Sequence, residues 1–308
     1  MKKVIVITGP TATGKTGLSV ELAKTIDGEI ISADSMQIYK YMDIGSAKPG
    51  FDEKCGILHY MMDFLDPSIN YSVAEYKKAA EKCIEDILSR NKIPVITGGT
   101  GLYINSLVYN IDYDNSPGSE LIRNKLALLA EKEGNRVLYS ELAALDPQAA
   151  ANIHPNNTRR LIRALEVCKQ TQKTFTQKNI EALKNPVKYD YKVYMLTMNR
   201  DRLYDRINKR VDQMIEDGLE GEAWRLYRMG LNKNCTSLQG IGYKEFFCYF
   251  RGLCTFDESV DIIKRESRRY AKRQTTWMKK IKGVRFINMD VLSKEEAIIE
   301  ISNDIFIK

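Results

Sequence analysis

The segment Gly9-Pro10-Thr11-Ala12-Thr13-Gly14-Lys15-Thr16 restricts what this chain can fold into more than any other part of it. It follows directly on Val4-Ile5-Val6-Ile7, a short apolar run that suits a strand buried on both faces. Behind it, Leu18, Leu22 and Ile26 recur at four-residue spacing, as on the apolar face of a helix that ends near Asp27-Gly28. Strand, glycine loop and helix in that order make a phosphate-binding loop. Gly9 and Gly14 free backbone N–H groups to cradle an anion at a helix N-terminus. Lys15 would reach the outer phosphate oxygens, and the Thr16 hydroxyl would hold a magnesium ion. The loop calls for a diphosphate without saying whether a nucleotide carries it.

The rest of the 308 residues, 44% hydrophobic and 28% charged, suffices for one large soluble domain or two smaller ones. The net charge of +7 points weakly to a polyanionic partner and gains meaning only where it is concentrated. Six cysteines never form a C-x-x-C pair, and the histidines are His59 and His154 alone, so a zinc site is not expected. Met1-Lys2-Lys3 leads straight into the first strand with no secretory h-region, and no apolar run reaches membrane-spanning length. A cytoplasmic enzyme with reduced thiols, without a membrane partner, is the expectation.

Glu29 to Ala33 reads as a second strand that delivers Asp34 and Ser35 to its C-terminal end, the edge where open α/β sheets place ligands. From spacing alone, Asp34 is a residue for chemistry, a cap, or a magnesium ligand. Met36 to Pro49 reads as a functional loop, and Ile57 to Phe64 as a third apolar stretch whose His59 is more simply a structural residue than a ligand. Ser72 and Glu75 form a capping box for the next helix. Ile93 to Thr97 is a further strand, ending in Gly98-Gly99-Thr100-Gly101. Phosphate-loop ATPases place a magnesium-holding acid after such a strand, and a glycine turn presenting the Thr100 hydroxyl counts against that activity.

From 116 to 186 strand patterns vanish, and helical stretches over Leu121 to Leu129, Val137 to Leu145 and Leu161 to Cys168 indicate an all-helical insertion. Arg159, Arg160 and Arg163 crowd the first turns of the last of these, where the helix dipole disfavours cations. They form either a solvated basic face or a seat for an outside anion. Val193 to Met198 returns to strand. The following helix buries Leu203, Ile207, Val211 and Met214 and carries Arg202, Arg206, Lys209 and Arg210 opposite, cations suited to a leaving diphosphate. Gln239-Gly240-Ile241-Gly242-Tyr243-Lys244 is a glycine turn with an aromatic and a cation for a base and a phosphate. Thr255 and Glu258 cap a long helix with a stripe from Val260 through Tyr270, Gln274 and Trp277 to Ile281. Arg265, Arg268, Arg269, Lys272, Arg273, Lys279 and Lys280 cover its other faces and suit RNA. A strand near Val284 to Ile287 and a helix capped by Ser293 and Glu296 close the chain.

Six separated motifs then speak together: the loop itself, Asp34-Ser35-Met36-Gln37-Ile38-Tyr39, Met42-Asp43-Ile44-Gly45-Ser46-Ala47-Lys48-Pro49, Gly98 to Tyr103, His154-Pro155-Asn156-Asn157, and Ala271-Lys272-Arg273-Gln274-Thr275-Thr276-Trp277. In that order the chain closely resembles bacterial tRNA dimethylallyltransferases. The resemblance implies an α/β fold, a P-loop NTPase-like parallel sheet flanked by helices (1–115 and 187–308) with an all-helical insertion domain (116–186). It implies transfer of a dimethylallyl group from dimethylallyl diphosphate to N6 of the adenosine 3′ of the anticodon, in tRNAs reading codons that begin with U, assisted by Mg²⁺. Gly9 to Thr16 would hold the diphosphate, and Asp34 would be the base. Thr100 would lie near the adenosine, and Arg206 or Arg210 would neutralise the leaving group.

The tRNA anticodon stem-loop would be held by Asp34, Ser35, Met36, Gln37 and Thr100, by Arg123, Thr158, Arg159, Arg160, Leu161 and Ile162 of the insertion, by Gln239, Gly240, Ile241, Gly242, Tyr243 and Lys244, and by Lys272, Arg273, Gln274, Thr275, Thr276, Trp277, Met278 and Lys279. Stacked bases hide their amines, so the adenosine must be extruded. A monomer is expected. Asn157 stands where the family usually has Asp, and Ser46 where it usually has Thr. The rivals are a P-loop kinase, an adenylate isopentenyltransferase, and a non-catalytic RNA-binding module. The first would move phosphate from ATP, the second has no use for the basic helix or the insertion, and the third leaves Lys15, Thr16 and Asp34 without purpose.

Overall fold

The first strand, β1 (Lys3–Thr8), is fully buried from Val4 to Thr8, as a strand with neighbours on both edges and helices on both faces must be. It leads through the glycine loop to α1 (Lys15–Thr25), then β2 (Gly28–Ser32), the short α2 (Phe51–Lys54), β3 (His59–Tyr60), α3 (Val73–Ser89), β4 (Ile93–Gly98) and α4 (Gly101–Val108). This computed structural model describes residues 1–113, 119–231 and 235–306, and the expected boundary at 115/116 falls outside them. Helices α5 (Ser119–Glu133), α6 (Asn135–Leu145), α7 (Pro147–Asn152), α8 (Thr158–Thr171) and α9 (Phe175–Ala182) follow. After β5 (Asp190–Thr197) come α10 (Arg200–Glu216), α11 (Leu219–Arg228), α12 (Lys244–Phe250), α13 (Phe256–Met278), β6 (Arg285–Asn288) and α14 (Lys294–Phe306).

Among the described residues six strands form one parallel sheet in the order β3-β2-β4-β1-β5-β6. The period-two rule divides it cleanly. Val4 and Val6 face a core with Tyr76, Ile84, Tyr103 and Leu107 of α3 and α4, and Ile5 and Ile7 face one with Leu18 and Leu22 of α1 and Ile301 of α14. Because β1 lies between β4 and β5, the chain leaves it toward opposite sides, and the crevice at its carboxyl end is where such sheets bind ligands. The apolar stretch Ile57 to Phe64 yields only the two-residue edge strand β3. Beyond it, Met61 and Asp63 adopt positive φ, and the N–H groups of Asp63 and Phe64 turn to the carbonyls of Gln37 and Ile38.

The chain divides into two compact units, Met1–Val108 with Lys188–Lys308, and Tyr109–Val187. In the first, α10 to α13 build a third core, in which Ile38, Tyr39 and Met42 pack on Val211, Leu219, Tyr243, Phe246 and Ile263. The second unit is helical, with Leu126, Leu138, Leu142, Leu161 and Leu165 at its centre. Two of its helices, α7 and α9, have no counterpart in the sequence reading. Local signals mark both: Pro147 at a first helical position behind the Asp146 cap, and a Thr174/Gln177 capping box. The capping boxes at Ser72/Glu75 and Thr255/Glu258 are present as read, and Ser293/Glu296 make the same pair of bonds. No helix among the described residues is long and apolar enough to cross a membrane.

Candidate active site

The phosphate loop takes its shape from two left-handed glycines and one strained alanine. Gly9 has φ 141°, and a Cβ there would stand 2.6 Å from the Leu196 carbonyl oxygen, so β5 excludes any side chain. Gly14, φ 91°, is the N-cap of α1. Ala12, φ 64°, adopts a conformation that costs a residue with a Cβ about 1 kcal/mol. The Pro10 carbonyl accepts from the Thr13 hydroxyl at 2.8 Å and from Lys15 Nζ at 2.9 Å. Thr11 is a departure from the expected cradle. Its N–H is already donated to Gln274 Oε1 at 2.9 Å, so that group holds the loop to α13 and is not free for a phosphate.

Lys15, Asp34 and Arg210 line one cavity of about 320 Å³ at the carboxyl end of the sheet, with Thr11, Thr16, Ser35, Gln37, Thr97 and Tyr270. Burial first, then the Arg210 charge, push the Lys15 ammonium down to about 7, against a smaller raising effect of Asp34. A cation this poorly solvated is poised to take a polyanion. The two arginines left open by the sequence separate here. Arg206 is exposed, donates to the Ala12 carbonyl at 2.8 Å and lines an outer space beside the loop. Arg210 is partly buried, donates to the Thr11 hydroxyl at 3.3 Å and lines the same cavity as Asp34 as well as the outer space.

Asp34 follows β2 directly, and its Oδ1 accepts the Met36 N–H at 2.8 Å, an Asx turn that fixes the side chain at the cavity wall. The Thr100 hydroxyl accepts the Ser35 N–H at 3.0 Å and reaches the Ser35 hydroxyl at 3.3 Å. Tyr270, absent from the sequence reading as a site residue, sits among Thr100, Gln274 and Asp34; burial, then the Asp34 charge, push its phenol up. The Gly98 to Gly101 turn has a second reason besides presenting Thr100. A side chain at Gly99 would collide with the Gln274 carboxamide, and one at Gly101 with the Trp277 indole, so the turn is bare where α13 approaches.

Several residues expected at a tRNA surface are not on an open face: Leu161, Tyr243 and Met278 lie in the interior, while Gln37, Gly240, Gly242 and Gln274 line the same cavity as Asp34. Tyr243 is 0% exposed and its hydroxyl donates to Glu222 at 2.7 Å, so it cannot stack on a base. Gly240 and Gly242 are buried with it. Gln274, 5% exposed, bridges Thr11 and Gly99. Met278 is buried and its sulfur accepts from the Thr8 hydroxyl at 3.0 Å. Leu161 lies in the core of the helical unit, with Ile162 packed partly against it. Gln37 is committed, its Nε2 donating to the Ser46 and Ala47 carbonyls and its Oε1 accepting from Ser32.

Other residues keep open faces. Lys272, Arg273, Thr276 and Trp277 on α13, Lys279 just beyond its end, and Gln239 and Lys244 are exposed, while Met36, Ile241 and Thr275 are partly so. In the helical unit Arg159 and Arg160 are exposed, Thr158 donates its hydroxyl to Asn135, and Arg123 pairs with the buried Glu166 at 3.0 Å. Asn157 caps α8 by accepting the Arg160 N–H, work that an aspartate would do equally well. His59 binds the Ile57 carbonyl through Nδ1, a structural place.

A magnesium ion can be tested against this donor set. Thr16, Thr97 and Asp34 line the cavity with hard oxygen donors, and the buried Thr97 hydroxyl has no hydrogen-bond partner among the described residues. One carboxylate plus hydroxyls beside a phosphate site is the sparse protein ligation this ion accepts, so the residues fit it.

The sequence profile of the IPP transferase family matches residues 37–281. A tRNA dimethylallyltransferase of Acetivibrio thermocellus is 50% identical over 300 residues, 97% of this chain and 96% of the relative. The crystal structure of the full-length tRNA isopentenylpyrophosphate transferase of Bacillus halodurans superposes with a TM-score of 0.75 at 44% identity, covering 99% of this chain and 96% of that one. A eukaryotic dimethylallyltransferase crystallised acting on tRNA gives a TM-score of 0.83 at 31% identity, over 99% of this chain and 80% of the other.

Proposed function

The chain belongs to the IPP transferase family, the tRNA dimethylallyltransferases, and from that premise we propose how its cavity performs the transfer. The enzyme moves the dimethylallyl group of dimethylallyl diphosphate to N6 of the adenosine 3′-adjacent to the anticodon, in tRNAs reading codons that begin with U. A bond forms between N6 and C1 of the prenyl group, the C1–O bond breaks, and the electron pair of that bond leaves with the diphosphate. One amine proton passes to Asp34 and then to solvent.

One observation supports this reading above others: Lys15 of the phosphate loop, Arg210 of α10 and Asp34 share a single cavity, two cations with one carboxylate. The amine of adenine is too weak an acid to lose its proton beforehand. Asp34 need only accept it as the N–C bond forms, an effect worth about two to four powers of ten in rate. Lys15 and Arg210 stabilise the negative charge that grows on the leaving diphosphate, and Arg206 guards the outer side of the loop. Thr100, held by the Ser35 N–H, and Tyr270 flank the acceptor. Thr16, with Thr97, would hold Mg²⁺, which when bound supplies a Lewis acid toward the diphosphate and leaves Asp34 free to accept the proton. Exposed cations on α13, and Arg159 and Arg160 of the helical unit, would grip the anticodon arm through its phosphates. A monomer working in the cytoplasm completes the reading.

Incubation with unmodified tRNA and, separately, labelled dimethylallyl diphosphate and labelled ATP tests it. Label from the prenyl donor is expected in N6-(dimethylallyl)adenosine after nucleoside digestion. Label entering tRNA from ATP alone, or prenylation of AMP with tRNA untouched, would replace it with a kinase or an adenylate-directed relative.

A further inference from the structure

Glu222 lies on α11, 1% exposed, and the transfer as described above gives it no task. Its carboxylate is nevertheless filled on both oxygens. Oε2 accepts the backbone N–H groups of Asp43 at 2.8 Å and Ile44 at 2.9 Å, and Oε1 accepts that of Gly45 at 2.9 Å and the Tyr243 hydroxyl at 2.7 Å. Successive backbone N–H groups converging on one point form a nest of the kind that binds free anions, and here the protein supplies the anion itself. Bonds to an ionised acceptor are the strong ones.

The other edge of the same segment is bound from the opposite side, by the Gln37 carboxamide at the Ser46 and Ala47 carbonyls, 3.3 and 3.1 Å away. Gly45 is pressed on the Tyr243 ring so closely that a Cβ would stand 2.5 Å from Cζ. Residues 43–47 are thus a strap whose N–H edge is tied to Glu222 and whose carbonyl edge is tied to Gln37. This strap is also a wall. Gly45, Ser46 and Ala47 line the cavity with Asp34, while Asp43, Ile44 and Ala47 line the outer space beside Gly14, Lys15 and Arg206.

We propose that Glu222 is a positioning residue for the transfer: it grips the 43–45 backbone and so fixes one wall of the cavity that Asp34, Lys15 and Arg210 line, without touching either substrate. The inference rests on the function proposed above. A buried charge is a poor device for stability alone, since its desolvation offsets most of what its bonds contribute. What four converging donors provide is one defined geometry. A wall that shifts by a fraction of an ångström leaves most ground-state contacts intact but spoils the alignment of N6 with C1, so the loss belongs in kcat.

The test uses the full-length protein, unmodified tRNA and dimethylallyl diphosphate. Wild-type turnover checks the function itself, and if it is nil, that reading has failed whatever the variants do. Glu222→Gln keeps the volume but turns an NH₂ group toward donors. In the folded variant kcat is expected to fall between about tenfold and a hundredfold. The KM values for both substrates, and the Kd for inorganic pyrophosphate by calorimetry, are expected to stay within about threefold of wild type. Gly45→Ala, which pushes the strap away from the Tyr243 ring beside Glu222, is expected to reproduce that kcat-only loss. A wild-type kcat in folded Glu222→Gln overturns the inference. So does a kcat loss matched by equal losses of pyrophosphate and tRNA binding, which would make the strap a general structural element. Should Glu222→Gln not fold, Gly45→Ala decides alone, a wild-type kcat there being fatal.

Discussion

Gln274 donates its Nε2 to the carbonyl of Gly99 at 3.0 Å, and the same carboxamide accepts the Thr11 N–H through Oε1. The long basic helix α13 is thereby tied to the phosphate loop after β1 and to the glycine turn after β4 by one side chain. Gln274→Ala leaves a buried N–H and a buried carbonyl without partners, at a cost of about 1–3 kcal/mol. Urea unfolding is expected to show this loss, while tRNA affinity and its salt dependence stay near wild type because the side chain faces inward. A lost salt slope in a fully folded variant would return Gln274 to the RNA surface.

Asp34→Asn preserves the size of the side chain and removes the proton acceptor. Single-turnover transfer is expected to slow by about two to four powers of ten. Binding of unmodified tRNA, read by filter retention, should change little. If affinity and rate fall together, Asp34 binds the acceptor and does no more.

Lys15 sets a pH dependence. In the free enzyme its ammonium is held down to about 7, so above that pH the folded protein has lost a proton that the unfolded chain still carries up to its ordinary 10.5. The unfolded state binds more protons across this window, and the contribution of Lys15 to stability therefore rises with pH from about 7 to 10.5. Ligand binding runs the other way. A diphosphate favours the charged form, so donor affinity is expected to weaken as pH rises through about 7, with proton uptake on binding. Calorimetry at pH 8 in two buffers of different ionisation enthalpy should show up to about one more proton taken up by wild type than by Lys15→Met. Equal uptake would show that Lys15 is already charged.

Arg210 and Arg206 touch neighbouring residues of the same loop and both line the outer space beside it, but of the two Arg210 alone also lines the cavity of Asp34. Arg210→Ala is expected to lower kcat by about a hundredfold or more, as for loss of a group that stabilises developing charge. Arg206→Ala should mainly raise the KM for dimethylallyl diphosphate. Steady-state kinetics of both variants distinguishes the two, and equal effects would mean the leaving diphosphate spans both spaces.

Lys272 is exposed on α13. Lys272→Ala is expected to weaken tRNA binding and to reduce the slope of log K against log salt by about 1. An unchanged slope would remove this part of α13 from the interface.

The parallel sheet, the loop and the carboxylate at the end of β2 were legible because each is a local pattern: an apolar run, glycines at set spacing, an acid at a strand terminus. The helix starts behind Ser72 and Thr255 were legible from their capping boxes, while the Thr174/Gln177 box of α9, with no long apolar stripe behind it, was passed over. Which of the residues expected to hold tRNA have open faces was not legible, since Leu161, Tyr243 and Met278 stand beside exposed cations in the sequence yet are buried, and Gln274 turns to Thr11 and Gly99. Position along a helix does not reveal which neighbour will cover it.

By itself, then, the order of residues determined the groups on offer: a glycine loop between strand and helix, a carboxylate just beyond a strand, and a concentration of cations on one long helix. Only tertiary structure decided how these groups are held. The Glu222 nest joins residues about 180 positions apart, and Gln274 spans 263 and 175 positions to reach Thr11 and Gly99. A glutamate on a helix, or a glutamine in a basic run, carries no local sign of such a partner. Backbone N–H and carbonyl groups look alike at every position, and they become specific only when the folded chain turns them toward one side chain.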